Sequence, residues 1–250
     1  MKKIILPLAV ISVILFPLSG CKKLIDRIFH NDDGGVVSNC RISKIFEVSE
    51  FDGELITGIV YYNDRNDPDS VVIYSENGIY GPQLFYFFYD DAHNLIEYRE
   101  DYDRQPDHYY SWHKYAYQNG VIVRDTARFQ IAGQGGAVRN IEYDANGRVI
   151  KESVHIFELD HLPVDQDGGA YLYAYDDFGN LDGETFVYDK KVNFLRTNKI
   201  WMFTQRNYSM NNRSGVASYN ESGLPLTFED GKRPVFLIAF GISSIEYECP

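Results

Sequence analysis

The chain has 250 residues, a length that fits one large β domain or two ordinary domains. It is 44% hydrophobic and 24% charged, so it can bury a sizeable core and lacks the composition of a disordered chain. Lys and Arg total 24 against 36 Asp and Glu, and the net charge of −12 argues against a nucleic-acid partner. The 20 Tyr, 16 Phe and 20 Gly favour strands and turns over a helical bundle.

Residues 1–20 predict an export signal. Lys2 and Lys3 precede an uncharged stretch that is too short for a comfortable membrane span. The stretch ends in Leu-Ser-Gly directly before Cys21, which resembles the bacterial lipobox, where the Cys becomes the diacylated N-terminus of the mature protein. An ordinary signal peptide that contains a Cys is the alternative. Two or three acyl chains on Cys21 would anchor the protein stably.

This interpretation places the protein in the cell envelope, lipid-anchored to the outer membrane, on either its periplasmic or its surface side. Residues 21–39 would form a lipidated tether, and residues 40–250 a single β-repeat domain. Cleavage removes Lys2 and Lys3, so the mature charge becomes −12 − 2 = −14. Such an acidic body should be held away from an anionic membrane.

An internal repeat runs through residues 40–250. Each copy has a Tyr, usually an Asp or Asn that can cap a turn, in most copies a Gly that supplies a positive φ, and an apolar residue that opens the return strand. We therefore expect each copy to be the tip of an antiparallel hairpin. The tip residues are Tyr89 and Asp90; Tyr117 and Gly120; Tyr143, Asp144 and Gly147; Tyr175, Asp176 and Gly179; and Tyr219 and Gly223, with Tyr62 heading a degenerate first copy.

The six Tyr are spaced 27, 28, 26, 32 and 44 residues apart, and the last two spacings leave room for insertions. Since about 27 residues hold two strands and two turns, the predicted fold is all-β, an antiparallel meander of roughly 10–12 strands that is strongly coiled or closed into a barrel-like shape. The Tyr and the residue two positions before it should face the same side of each strand. In Leu84–Tyr89 both faces are apolar, which predicts cover on both sides.

Two family resemblances accompany the repeat. The tips resemble the Tyr-Asp repeats of RHS-type proteins, although the copies are too few to close an RHS shell. Cys40–Ile45, Tyr143–Lys151 and Asn193–Pro225 together are similar to a family of Bacteroidota lipoproteins, a domain of unknown function described as having a porin-like β fold. That resemblance implies an anchored β domain and supplies no catalytic residue. The strands lack a consistent lipid-facing apolar band, so a channel does not follow from it.

Motifs of cofactor-dependent and nucleophilic enzymes do not occur in the sequence. Leu226 stands where a P-loop ending at Gly231-Lys232 would need Gly, and there is no Gly-x-Ser-x-Gly or Cys-x-x-Cys. Residues 165–168 resemble the start of a calcium loop, but Ala170 and Asp176 replace the Gly and Glu of an EF-hand. We therefore predict no cofactor, no metal and no catalytic residue.

Other polar patterns are weaker. His155 and His161 flank two acids, but a Leu-Pro pair ends the run, so a metal site is not favoured. Glycosidases need paired carboxylates, and Glu100, Asp101, Asp103 and Asp107 would offer them. Such pairs arise by chance among 36 acids, and a solvated loop is favoured for these four residues. Ser70 and Thr126 lie in tripeptides that resemble O-glycan acceptors of Bacteroidota.

Cys40 and Cys249 remain after Cys21 is assigned to the lipid. Because export leads to an oxidising compartment, this even pair favours a disulfide, and two separate buried thiols are the alternative. A disulfide would hold the first and last strands together, either in a closed or nearly closed barrel or by direct pairing of the terminal strands.

The leading functional hypothesis is a non-enzymatic, lipid-anchored envelope domain with a structural or binding role. The alternative is a module that binds a glycan or an apolar ligand, and an envelope protein is the other partner left open. A hydrolase that uses paired carboxylates is less favoured. A concave, solvent-exposed row of aromatic rings would favour the binding module, whereas rings packed in the core would argue against it. The predicted stacking residues are Tyr61, Tyr109, Tyr110, Trp112 and Trp201.

Overall fold

The computed structural model describes residues 40–49, 53–78, 82–101, 110–129, 135–159, 162–182, 185–231 and 234–250. The predicted signal, the tether and Cys21 lie outside these ranges. The strands are, in chain order, β1 (Arg41–Val48), β2 (Leu55–Tyr62), β3 (Pro68–Ser75), β4 (Gln83–Tyr89), β5 (Leu95–Asp101), β6 (Ser111–Gln118), β7 (Val121–Phe129), β8 (Gly135–Tyr143), β9 (Val149–Leu159), β10 (Leu162–Leu172), β11 (Tyr188–Val192), β12 (Asn211–Arg213), β13 (Val216–Tyr219), β14 (Pro225–Phe228), β15 (Val235–Phe236), β16 (Ile238–Gly241) and β17 (Ser244–Glu248).

Thirteen of these strands form one antiparallel sheet. From β1 to β9, each strand pairs with the next along the chain, and β10 is the last of this series. The last strand, β17, pairs with β1, and the hairpin β13–β14 extends the sheet beyond β17. The pairs β11–β12 and β15–β16 are separate. The predicted all-β antiparallel meander is confirmed, with thirteen strands instead of 10–12. In the described ranges β10 and β13 are the two edge strands of the sheet and do not pair with each other, so the sheet is open.

Cys40 and Cys249 are bonded to each other, with their Cα atoms 4.2 Å apart. They flank the paired strands β1 and β17, where Ile45 lies opposite Ile245. The chain therefore returns to its own beginning by direct pairing of the terminal strands. This junction lies within the sheet, between β2 and β14, and does not close a barrel.

The hairpin tips share one hydrogen-bond pattern. At the β8–β9 tip, Asp144 accepts bonds from the amides of Asn146 and Arg148 at 2.9 and 3.0 Å, and Gly147 has φ 75°. The tip formed by Asp176 and Gly179 repeats this pattern, as the sequence predicts.

The first copy of the repeat, predicted to be degenerate, has the same geometry. Asn63 accepts from the amides of Arg65 and Asp67, both at 3.0 Å, and Asn66 takes the positive φ at 68°. Asn thus replaces both the capping Asp and the Gly, since Asn tolerates the left-handed region better than most residues. The tip after Tyr117 is a shorter turn in which Asn119 and Gly120 both have positive φ.

Several tyrosines at or near the ends of strands are hydrogen-bonded to the start of a neighbouring strand. Each hydroxyl donates to a backbone carbonyl at or next to the first residue of a neighbouring strand, and burial raises the pKa of each phenol, to about 12 for Tyr117. We call these residues the tip-linking tyrosines. They are Tyr62 to Ile42 at 2.9 Å, Tyr89 to Pro68 at 2.7 Å, Tyr117 to Leu95 at 3.1 Å, Tyr143 to Ile122 at 2.8 Å and Tyr247 to Pro225 at 2.9 Å.

One face of the sheet, the inner face, is covered by the chain itself. The insertion before the last tip forms a 3-10 turn (Phe194–Thr197) and a helix, α1 (Lys199–Thr204). Asn198 caps α1 by accepting from the Ile200 amide at 2.8 Å. Trp201 is fully buried and meets Phe87 of β4 edge-on, with ring centroids 5.6 Å apart. No helix in the described ranges is long and apolar enough to cross a membrane.

The opposite, outer face is less covered than the sequence predicts. In β4 the inner-face residues Phe85 and Phe87 are buried, but Phe88 on the outer face is 38% exposed. On the same face, however, Leu84 is only 6% exposed. The prediction that this strand is covered on both sides therefore holds at its start and is wrong at its end.

Gly147→Val should destabilise the domain by about 1–3 kcal/mol, because a β-branched residue avoids the positive φ of this position. Gly147→Asn is the matched control and should cost less than half as much, since Asn66 occupies the same position of the first tip. Equilibrium denaturation in urea measures both variants. Equal stability of the two variants would contradict this account of the tip.

Candidate functional site

The outer face carries a continuous row of residues that lie opposite one another on consecutive strands. We call it the transverse row. Strand register places its members side by side, and alternation along each strand places their side chains on the same face. The register runs from Tyr61 (β2) to Ser70 (β3), Tyr86 (β4), Arg99 (β5), Trp112 (β6), Arg128 (β7) and Gly136 (β8).

Aromatic rings occupy the even-numbered strands of this row. Tyr61 is 49% exposed, and Tyr86 and Trp112 are half-buried. At β8 the row has Gly136, and a Cβ built there would lie only 2.3 Å from the ring of Phe157 on β9. Phe157 therefore lies directly over the backbone of Gly136 and supplies the fourth ring of the row.

The two arginines of the row are already paired with carboxylates. Arg99 forms an ion pair with Glu97, and its guanidinium lies 4.7 Å from the ring centroid of Phe88. Arg128 lies 3.8 Å from a carboxylate oxygen of Glu158 and 5.7 Å from the centroid of Phe157. The row thus presents planar, hydrogen-bonding groups between its rings. Beside it, the Lys114 ammonium lies 4.5 Å from the ring centroid of Trp112 and 4.0 Å from Glu97, so Glu97 is shared between Arg99 and Lys114.

The inner face holds a buried charged network. Asp125, only 2% exposed, contacts Nδ1 of His113 at 2.9 Å and Arg139 at 3.3 Å. Arg206, directly after α1, pairs with Glu152 at 2.7 Å and lies 3.6 Å from Asp125. The network therefore attaches the segment after α1 to strands β7 and β9.

The charges around Asp125 determine its ionisation. Burial alone would raise the pKa of this carboxyl, but the hydrogen bond and charge of His113 and the guanidinium groups of Arg139 and Arg206 outweigh it and lower the pKa. Asp125 is therefore ionised at neutral pH and balances the buried arginines. Each member of this network is bonded to another, which is the arrangement that a structural ion cluster requires.

The inner face leaves little room for a ligand. A cavity of about 10 Å³ lies between β1–β3 and Phe236, lined by aliphatic side chains such as Ile45 and Ile73. Such a volume holds about one water molecule, far less than a small-molecule site needs. The exposed outer face is therefore the better candidate for recognition.

The predicted stacking residues have different fates. Tyr61 and Trp112 lie in the transverse row, on β2 and β6. Tyr110 is half-buried beside the start of β6, where its amide donates to the Glu100 carbonyl at 2.7 Å, and Tyr109 lies outside the described residues. Trp201 cannot stack on a ligand, because α1 places it in the core.

The predicted polar residues are dispersed. Asp165 pairs with His155 at 3.1 Å, while Asp167 and Asp176 accept backbone amides of their own turns. In the ranges listed for the fold, no three His, Cys, Asp or Glu lie close enough to hold a metal ion. His161 lies outside those ranges.

Two of the paired acids are not on a loop. Glu100 and Asp101 are the last residues of β5, and Asp101 is buried, so the expectation of a solvated loop is wrong for them. As neighbours on a strand they point to opposite faces and cannot act on one substrate. Asp103 and Asp107 are not among the described residues.

Ser70 and Thr126, the predicted glycan acceptors, are both half-buried outer-face residues within strands. Ser70 is a member of the transverse row. Their modification stays a prediction.

The row and the buried network were not found from the sequence. The row depends on the register of seven strands, and the network on contacts between β7, β9 and the segment after α1. The only available signal was a run of alternating residues around each aromatic, which does not define the neighbours. Comparison of the chain with protein-family models and with curated proteins found no match.

Arg206→Met should destabilise the domain by about 3–5 kcal/mol, because it leaves the buried Glu152 without its cation, whereas Asp125 keeps Arg139 and His113. Arg213→Met is the matched control, since Arg213 is exposed and stacks only on Phe186, and it should cost less than about 1 kcal/mol. Thermal and urea denaturation measure both. Equal effects of the two substitutions would show that the network contributes nothing to stability.

Proposed function

We propose that the protein is a lipid-anchored, non-enzymatic binding domain of the cell envelope. The observation that carries the proposal is the contrast between the two faces of the sheet. The chain fills the inner face with its own insertion, while the outer face of β2–β8 keeps an ordered row of aromatic rings at the surface.

The anchor follows from the N-terminal sequence. Cys21 stands after a lipobox-like segment, and 18 residues separate it from the first described residue, Cys40. An anchor at one end and a binding face on the sheet would together display the row to other envelope components. The resemblance to Bacteroidota lipoproteins supports the same placement on the outer membrane.

Several observations favour binding over catalysis. Several ionisable residues of the outer face are paired with each other, as Arg99 with Glu97 and Lys151 with Glu142. The buried His113 and Asp125 belong to a network that includes two arginines. Rings alternating with planar polar groups across several strands suit recognition of an extended ligand.

Cys21→Ser should abolish labelling with radioactive palmitate in the native host and remove the protein from the outer-membrane fraction, because no other residue would receive the lipid. The wild-type protein in the same host is the control. An unlabelled, soluble wild-type protein would contradict the lipid anchor.

The binding role is tested in the same cells with a photocrosslinking amino acid, p-benzoylphenylalanine, in place of Phe88 beside the row. We expect discrete covalent adducts to an envelope component. The matched control is the same replacement of Phe178, which is 80% exposed at a hairpin tip, and it should give none of them. Identical patterns at both positions, or no adduct at 88, would overturn the binding role of the outer face.

A further inference from the structure

We infer that the transverse row binds a single chain of a neutral, β-1,4-linked polysaccharide, which lies across the strands with one sugar over each strand. The inference rests on the proposed function and names the ligand class of the same face. It follows from the spacing, chemistry, charge and twist of the row.

The spacing of the rings matches a two-sugar repeat. The rings of Tyr61, Tyr86 and Trp112 lie on every second strand, and two strand spacings amount to about 10 Å. In a β-1,4-linked chain successive sugars are rotated by about half a turn, so every second sugar presents the same face, at nearly this distance. Each ring of the row can therefore meet an equivalent sugar face.

The chemistry between the rings fits the edges of the sugars. The C–H face of a pyranose packs on an aromatic ring, and its equatorial hydroxyls need planar or hydroxyl partners at the side. Ser70, Arg99 and Arg128 lie between successive rings and supply these partners. The pairing of Arg99 with Glu97 and of Arg128 with Glu158 provides both donors and acceptors beside a bound chain.

Charge selects a neutral ligand over an anionic one. The arginines of the row are paired with Glu97 and Glu158, Lys114 beside Trp112 shares Glu97 with Arg99, and the whole chain carries −12. A uronic-acid polymer, a single-stranded nucleic acid or an anionic membrane would be repelled at long range by this net negative charge.

Sheet twist selects a single chain over a crystalline surface. Adjacent strands rotate by about 20–25°, so rings two strands apart are rotated by about 40–50° relative to each other. A free oligosaccharide can follow this rotation, but the flat face of a cellulose crystal meets only one ring at a time. We therefore expect soluble chains to bind and crystalline cellulose to be bound far more weakly.

The test titrates the full-length lipoprotein, kept in a polyoxyethylene detergent without sugar groups, with cellohexaose, xylohexaose and chitohexaose. At least one hexasaccharide should bind and reduce acrylamide quenching of Trp112, whereas the buried Trp201 does not contribute to the change. Trp112→Ala and Tyr86→Ala should each weaken binding about tenfold or more, the size of one central contact.

Tyr74→Ala is the matched control, because Tyr74 is a 38% exposed outer-face tyrosine two outer-face positions along β3 from Ser70. Its affinity should stay within about twofold of the wild type, a difference of less than one central contact. Equal losses in Tyr74→Ala and Trp112→Ala, or equal affinity for polygalacturonate or crystalline cellulose, would overturn the inference.

Failure of the two proposals can be separated. If no hexasaccharide binds but the crosslinker at position 88 still gives its adducts, the glycan assignment is wrong and the binding role stands. If the adducts are also missing, the binding role fails as well.

Discussion

A buried phenol must find an acceptor, and this constraint connects one hairpin of the protein to the next. Each tip-linking tyrosine ends a strand, and its hydroxyl reaches a carbonyl at the end of the preceding tip or, for Tyr62, near the start of β1. Because such a bond is made in only one register, it fixes how far each strand slides past its neighbour. A slip of one residue would turn every side chain to the other face. The alignment of the transverse row across seven strands therefore depends on the tips.

The two faces of the sheet differ in what covers them, and in the proposed function they also differ in role. The inner face receives α1 and Phe236 of β15, with Trp201 packed between Phe87 and Phe236 and Arg206 bonded to Glu152. The disulfide between Cys40 and Cys249 holds the terminal strands beside each other, so the insertion is enclosed between a fixed beginning and a fixed end. In our proposal, the outer face binds other components of the cell envelope.

Local features of the fold could be predicted from the sequence. A Tyr-Asp tip with Gly147 is specified by residues within five positions of each other, so its turn and its place in a hairpin follow directly. The helix α1 could not be predicted, because six residues are too few to show a helical period, and Asn198 and the packing of Trp201 stabilise it. The two tryptophans illustrate the limit. Both were predicted to stack on a ligand, but Trp112 lies on a strand with a free outer face, while tertiary packing buries Trp201. The row itself requires the register of every strand, which no single strand encodes.

The central claim, that the tip-linking tyrosines hold the hairpins in register, is tested most directly by equilibrium denaturation of Tyr143→Phe. The substitution keeps the ring and leaves the Ile122 carbonyl without its donor, so the free energy of unfolding should fall by about 1–2 kcal/mol. Tyr74→Phe removes a hydroxyl from an exposed tyrosine and should change it by less than about 0.5 kcal/mol. Adding Tyr89→Phe to Tyr143→Phe should deepen the loss by a similar amount, since the two bonds lie at different tips. If Tyr143→Phe is as stable as Tyr74→Phe, the hydroxyl bonds do not hold the hairpins together and the account is contradicted.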